Sequence, residues 1–457
     1  MTNGPPLTST GKPGFTRTTA IAVVMANMVG TGVFTSLGFQ LADIRSVFVL
    51  LLLWVIGGLA ALCGALCYAE LGAALPRSGG EYNFLSRVLH PAVGFVAGWV
   101  SSTIGFAAPS ALAAITFGAY FSSVFPQFDK TMLACGLVVS LTVLHCVSHR
   151  SSATTQGAFT WLKVALIVGF CVLALSLAPE TQSVSLLPQR GDTQLLTGGA
   201  FAVSLIYVSY AYTGWNSATY LSGELVNPQR DLPWILTVGT LTVLGLYLML
   251  NYTFLAVAPM DAMAGQVEVG YVAATYAFGN VGAKVMGVLL SLLLISTVSA
   301  MVIAGPRVLQ MVGEDFPLFK VLGSTTNGLP RVAIAVQSAL TLGFIVSASF
   351  EAILVFAGFT LAANTLAVVA CLFLLRIREP DLARPFKVPL YPLPPLIYMA
   401  ITLWTLYYVV QSAPQEAFYG GVIFALGTLM YFVTVHLQKR SEKTTAGTTE
   451  PDLPGPP

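Results

Sequence analysis

The residues of this chain that could do chemistry are few, and they stand inside long apolar runs. Gly30-Thr31-Gly32 interrupts the first run just after Met28, and Tyr210-Ala211-Tyr212-Thr213-Gly214-Trp215-Asn216 interrupts the sixth. Two glycines around a hydroxyl, or a glycine among polar and aromatic residues, weaken a helix at one depth and free its backbone groups. In lipid such groups are tolerated only where they are buried in protein or line a cavity. The plainer reading of the first interruption is close packing of small residues. The pairing argues against it: with five-helix units, the two breaks occupy equivalent places in two repeats of opposite orientation, the arrangement that marks a transporter site. Amides at the head of one half-helix suit a carboxylate, and carbonyls at the tail of the other suit an ammonium. An α-amino acid carries both.

Other polar residues have ordinary readings. Lys163 stands one and a half to two turns into the fifth run, where a charge is costly and functional by default, unless it snorkels to the interface near Arg150. Four histidines lie near span ends without a metal-binding or catalytic pattern, so an enzyme is not expected and no cofactor is called for. The six cysteines all lie within apolar runs and read as small buried hydrophobes.

The elements that must position these residues follow from composition. At 56% hydrophobic and 9% charged, with a mean hydropathy of +0.79, most of this chain has lipid as its solvent. Segments of about 20 apolar residues fall at roughly 18–42, 46–75, 92–125, 131–147, 156–179, 197–225, 232–258, 282–311, 331–350, 352–376, 392–412 and 418–437, which makes twelve spans. With both termini in the cytoplasm, sixteen Lys and Arg fall inside and four outside, Lys163 being within a span; that bias sets the orientation. The expectation is one all-α domain over 18–438 in the cell membrane, with a cytoplasmic tail over 1–17 and a disordered one over 439–457. Repeats fall at about 18–180 and 197–376, and spans eleven and twelve at about 392–438. Short interfacial helices are expected at 81–90 and 263–279. Low net charge gives no nucleic-acid surface.

The motifs GTGVF from Gly30, YAELGAALPRSGGEYNFL from Tyr68, YTGWN from Tyr212, GELVNPQRDLP from Gly223 and GPRVLQMVGED from Gly305, in this order and at these separations, resemble the amino acid, polyamine and organocation permeases. The bacterial neutral amino acid permeases and L-amino acid exchangers are nearest in pattern. The resemblance implies a five-plus-five inverted repeat with broken helices 1 and 6, helices 11 and 12 outside the repeats, and alternating access. By motif position, the substrate carboxylate would meet the amides of Thr31 and Gly32 beside Gly30. The ammonium would meet carbonyls of Met28, Tyr210 and Thr213 beside Gly214. Trp215 would shape the side-chain pocket or close it from outside. Lys163 would stand where sodium sits in sodium-coupled relatives of the fold, reaching Thr297 in span eight, as a fixed tether or as a proton carrier. Glu70, Glu81 and Glu224, beside Arg77, Arg87 and Arg230, would lock an inner gate by ion pairs, or else form weak surface pairs. No acidic residue stands at either break, which favours neutral amino acids. Ser122 to Thr131 contains no cysteine, so no disulfide-linked partner subunit is expected. A sodium-coupled symporter and a non-transporting amino acid receptor of the same fold are the alternatives.

Overall fold

The computed structural model describes residues 16–77, 79–147, 153–220, 225–326 and 329–446. The first apolar run is split into α1 (Arg17–Met28) and α2 (Gly32–Asp43), with Val29, Gly30 and Thr31 between them. Next come α3 (Val47–Ala74), α4 (Gly80–Val88), α5 (Pro91–Thr103), α6 (Ala107–Val124), α7 (Lys130–Val147) and α8 (Ala153–Leu177). The second half holds α9 (Asp192–Leu196), α10 (Gly199–Tyr212), α11 (Ser217–Tyr220), α12 (Pro228–Val257), α13 (Met260–Met263), α14 (Val269–Asp315), α15 (Lys320–Gly323), α16 (Arg331–Ser347) and α17 (Phe350–Arg378). Helices α18 (Leu393–Ser412) and α19 (Pro414–Ala446) are the last of the described elements.

Among the described residues, ten helical stretches are long and apolar enough to cross a bilayer, and this is a multi-pass membrane protein. Two shorter apolar helices, α10 and α16, fall where the sixth and ninth spans are expected. The 14 residues of α10 reach only about 21 Å, because the chain leaves the helix at Thr213.

Four elements differ from expectation. The third run breaks at Ile104–Phe106 between α5 and α6, since Pro109 has no N–H and its ring opposes the carbonyl of Gly105. Helix α4 does not lie on the interface: Glu81, Phe84 and Leu85 are buried, with Phe84 edge-on to Tyr68 at 5.8 Å and the whole helix against α5 and α17. At the end, α19 continues to Ala446, into the stretch read as a disordered tail; no Pro or Gly in 439–446 stops it. The expected outer helix over 263–279 is instead the single turn α13 followed by the first part of α14, which kinks at Gly279 (φ 67°).

Packing serves the two breaks. Helix α3 lies along α12, α6 along α14, and α10 touches α2, α3, α17 and α18. Trp54, Tyr212 and Tyr247 form a fully buried aromatic cluster behind the breaks, Trp54 edge-on to Tyr247 at 5.5 Å.

Candidate functional site

At the first break the chain turns tightly. The N–H of Gly30 donates to the Met28 carbonyl at 2.8 Å, and a new helix begins with Phe34 N–H donating to the Thr31 carbonyl at 2.9 Å. Helix α2 therefore starts in the protein interior, and the amides at its head before Phe34 have no intrahelical partner. At the second break the Tyr210 carbonyl accepts from Thr213 N–H at 2.9 Å and from the Thr213 hydroxyl at 2.6 Å. Gly214 then takes φ +101°, a conformation open to glycine at little cost.

The two breaks are in contact. A Cβ on Gly32 would lie 2.6 Å from Cα of Ala211, and one on Gly214 would lie 2.7 Å from the carbonyl oxygen of Asn27. The head of α2 thus rests on the last turn of α10, and the turn at Gly214 rests on the tail of α1. Beside this crossing lies a cavity of about 160 Å³, lined by Met28, Gly30, Thr31, Gly32, Tyr210, Thr213, Gly214, Trp215 and Thr297 among others. Its volume is that of several waters.

Carbonyls freed by the breaks are partly engaged already. Tyr247, on α12, places its hydroxyl 2.6 Å from the Met28 carbonyl and 2.9 Å from that of Ala211, so one proton serves the tails of both half-helices. Met28, with Gly30 N–H as well, and Tyr210 each accept two hydrogen bonds. The Thr213 carbonyl accepts none among the described residues. Lys163 is 5% exposed and donates to the Thr297 hydroxyl at 2.8 Å and to the Val29 carbonyl at 3.3 Å. The ammonium thereby meets the partial negative charge at the tail of α1, joining α8, the first break and α14.

The glutamates behave differently from one another. Glu70 is fully buried and takes Arg376 Nε at 2.8 Å and Nη2 at 2.6 Å, the Val388 N–H at 2.7 Å, and the guanidinium of Arg384 at 3.5 Å. Its cations come from α17 and the following connector, not from Arg77, because the end of α17 lies beside the end of α3. Glu81 has no cationic partner among the described residues: it accepts from Asn216 at 2.6 Å, Tyr68 at 3.1 Å, Ser101 at 3.3 Å and the hydroxyl of Tyr220. Arg87 pairs with Glu379 at 2.7 Å instead. Glu224 lies outside the described residues. Glu81 also lines the central cavity, so that cavity does have an acidic wall residue, although both its oxygens are occupied.

Trp215 is edge-on to Tyr68, 4.7 Å between centroids, in a slot that exists because a Cβ on Gly64 would fall 2.9 Å from its ring. It stands at the Glu81 end of the cavity. Elsewhere, Phe39 on α2 stacks on Phe350 of α17 at 5.5 Å and Tyr207 on α10 donates to Glu351 of α17 at 2.6 Å. Tyr247, Tyr220 and Ser101 were not singled out from sequence, and Asn216 only as part of the second break. Tyr247 had a signal, a phenol within an apolar helix that must find a buried acceptor; the others meet Glu81 only through tertiary packing.

The family model described as amino acid permease matches residues 15–435. The large neutral amino acids transporter small subunit 2 of Mus musculus is 27% identical over 439 residues, covering 92% of this chain and 81% of the relative. The b(0,+)-type amino acid transporter 1 of Mus musculus is 25% identical over 432 residues, 91% of this chain and 86% of its own. The serine/threonine exchanger SteT of Bacillus subtilis is 26% identical over 394 residues, 85% and 89% respectively.

Proposed function

The chain belongs to the amino acid permease family, and we propose that it carries neutral L-amino acids across the cell membrane by alternating access, without sodium. It is a permease and not an enzyme. The observation that carries the reading is the crossing of the two helix breaks at one cavity, where Gly32 meets Ala211 and Gly214 meets Asn27. The amides at the head of α2, at Thr31 and Gly32 beside Gly30, face the substrate carboxylate. Its ammonium goes to the Thr213 carbonyl, the acceptor still open, and to Met28 or Tyr210 when their present donors yield.

Neutral substrates fit because Glu81, the one carboxylate on the cavity wall among the described residues, already holds four neutral donors and offers no free anion to a cationic side chain. Sodium independence rests on Lys163, whose ammonium fills the space between Val29 and Thr297 that a coupling cation would need. In this reading α1 to α8 and α10 to α17 form two inverted five-span repeats, α18 and α19 stand outside them, and both termini face the cytoplasm. Trp215 and the Glu81 cluster then close the cytoplasmic end.

Purified protein in liposomes tests this with labelled amino acids, varied internal substrate, and a proton gradient. Uptake should persist when choline replaces sodium and fall in Lys163→Ala. Acceleration by internal amino acid means exchange, and acceleration by an inward proton gradient means proton coupling. Uptake that collapses in choline would overturn the sodium-free mechanism, and binding without any uptake would make the protein a receptor.

A further inference from the structure

Three polar side chains in the wall of the central cavity are left without partners. The Asn364 side chain, on α17, is 3% exposed and makes no hydrogen bond among the described residues. Oγ1 of Thr405, on α18, and Oγ of Ser217, at the head of α11, are buried without partners in the same cavity. Their setting is ordered: Tyr398 and Thr365 share a hydrogen bond of 2.6 Å that fixes α18 against α17. Tyr398, Thr402 and Thr405 then fall on one stripe of α18 at helical spacing, and all three face the cavity.

A polar group at this depth has no bulk water to turn to, and protein interiors seldom leave such groups unpaired. Ten further buried side-chain atoms lack a hydrogen bond elsewhere among the described residues, so what sets these three groups apart is that they share the wall of one cavity, where a single ligand could complete them. None of them is charged, so the completing group is neutral and both donates and accepts. We propose that Asn364, Thr405 and Ser217 form the side-chain subsite, and that it selects amino acids with a hydroxyl or carboxamide side chain over aliphatic ones of the same shape. Helix α18, outside the repeats, thereby shapes specificity. This rests on the reading of the chain as an amino acid transporter.

A site built to hydrogen-bond a side chain discriminates strongly against the isostere that lacks the group, since its own buried groups are then left unpaired. The experiment is competition for uptake into liposomes by matched pairs, threonine against valine and asparagine against leucine. Wild type should prefer the polar member of each pair by about tenfold or more. Asn364→Leu and the isosteric Thr405→Val should bring the ratios toward one; each ratio is taken within one protein, so a lower yield of folded variant cancels. Equal competition within each pair in wild type, or ratios unchanged in both variants, overturns the subsite while leaving amino acid transport standing. Absence of uptake for every amino acid overturns the transport reading and the subsite with it.

Discussion

At the residue scale, Lys163 and Tyr247 do related work on different carbonyls. Each brings a donor to a helix tail that the breaks leave exposed, Lys163 to Val29 and Tyr247 to Met28 and Ala211. A hydrogen bond to a charged group contributes about 1.5–3 kcal/mol and a neutral one about 1 kcal/mol, so the two should separate in magnitude. Lys163→Met, which keeps the apolar stem, should lower the thermal midpoint in detergent and reduce uptake by more than tenfold. Tyr247→Phe keeps the ring packed against Trp54 and should raise the substrate KM several-fold with a small change in midpoint. An unchanged KM would mean that the hydroxyl has no influence on the carbonyls at the site.

At the element scale, the breaks are set by backbone geometry. Gly214→Ala places a Cβ where the Asn27 carbonyl already lies, at 2.7 Å, and at φ +101°, so the tail of α1 must shift away. Transport should fall by more than tenfold while the protein still elutes as a folded species on gel filtration; full activity would show that the crossing tolerates displacement. These two breaks were legible in the sequence because glycines and hydroxyls stand out against apolar residues, and Lys163 was legible for the same reason. The break between α5 and α6 was not foreseen, since Gly105 and Pro109 sit in an alanine-rich run whose hydropathy is unbroken. The burial of α4 was missed because its charged flanks suggest an interface, whereas Glu81 is satisfied by side chains from α3, α5, α11 and the second break. Local pattern reports where a helix weakens. It does not report which distant donors gather around a carboxylate: motif position set Glu70, Glu81 and Glu224 beside Arg77, Arg87 and Arg230, whereas Glu70 takes Arg376.

At the scale of the whole molecule, the proposed alternating access would require some contacts that stay closed and others that open, and the two buried glutamates divide along that line. Glu70 is locked by a two-pronged guanidinium contact, with Arg376 also 3.6 Å above the Tyr391 ring. Removing one member of a buried ion pair leaves an uncompensated charge and costs about 3–5 kcal/mol, so this cluster suits a permanent tie between α3, α17 and the approach to α18. Glu81 instead gathers neutral donors, two of which, Asn216 and Tyr220, belong to the second break and to α11. Such donors can exchange for water without stranding a cation, which suits a closure that must release. Glu70→Gln should therefore lower the thermal midpoint markedly while the transport rate per folded molecule stays near wild type. Glu81→Gln should leave the midpoint nearly unchanged and alter the exchange rate by about tenfold, since one oxygen that accepts hydroxyl and amide donors becomes an NH2. Paired measurements of unfolding in detergent and exchange in liposomes decide the matter. If Glu81→Gln unfolds the protein and Glu70→Gln changes only the rate, the assignment of tie and gate is reversed.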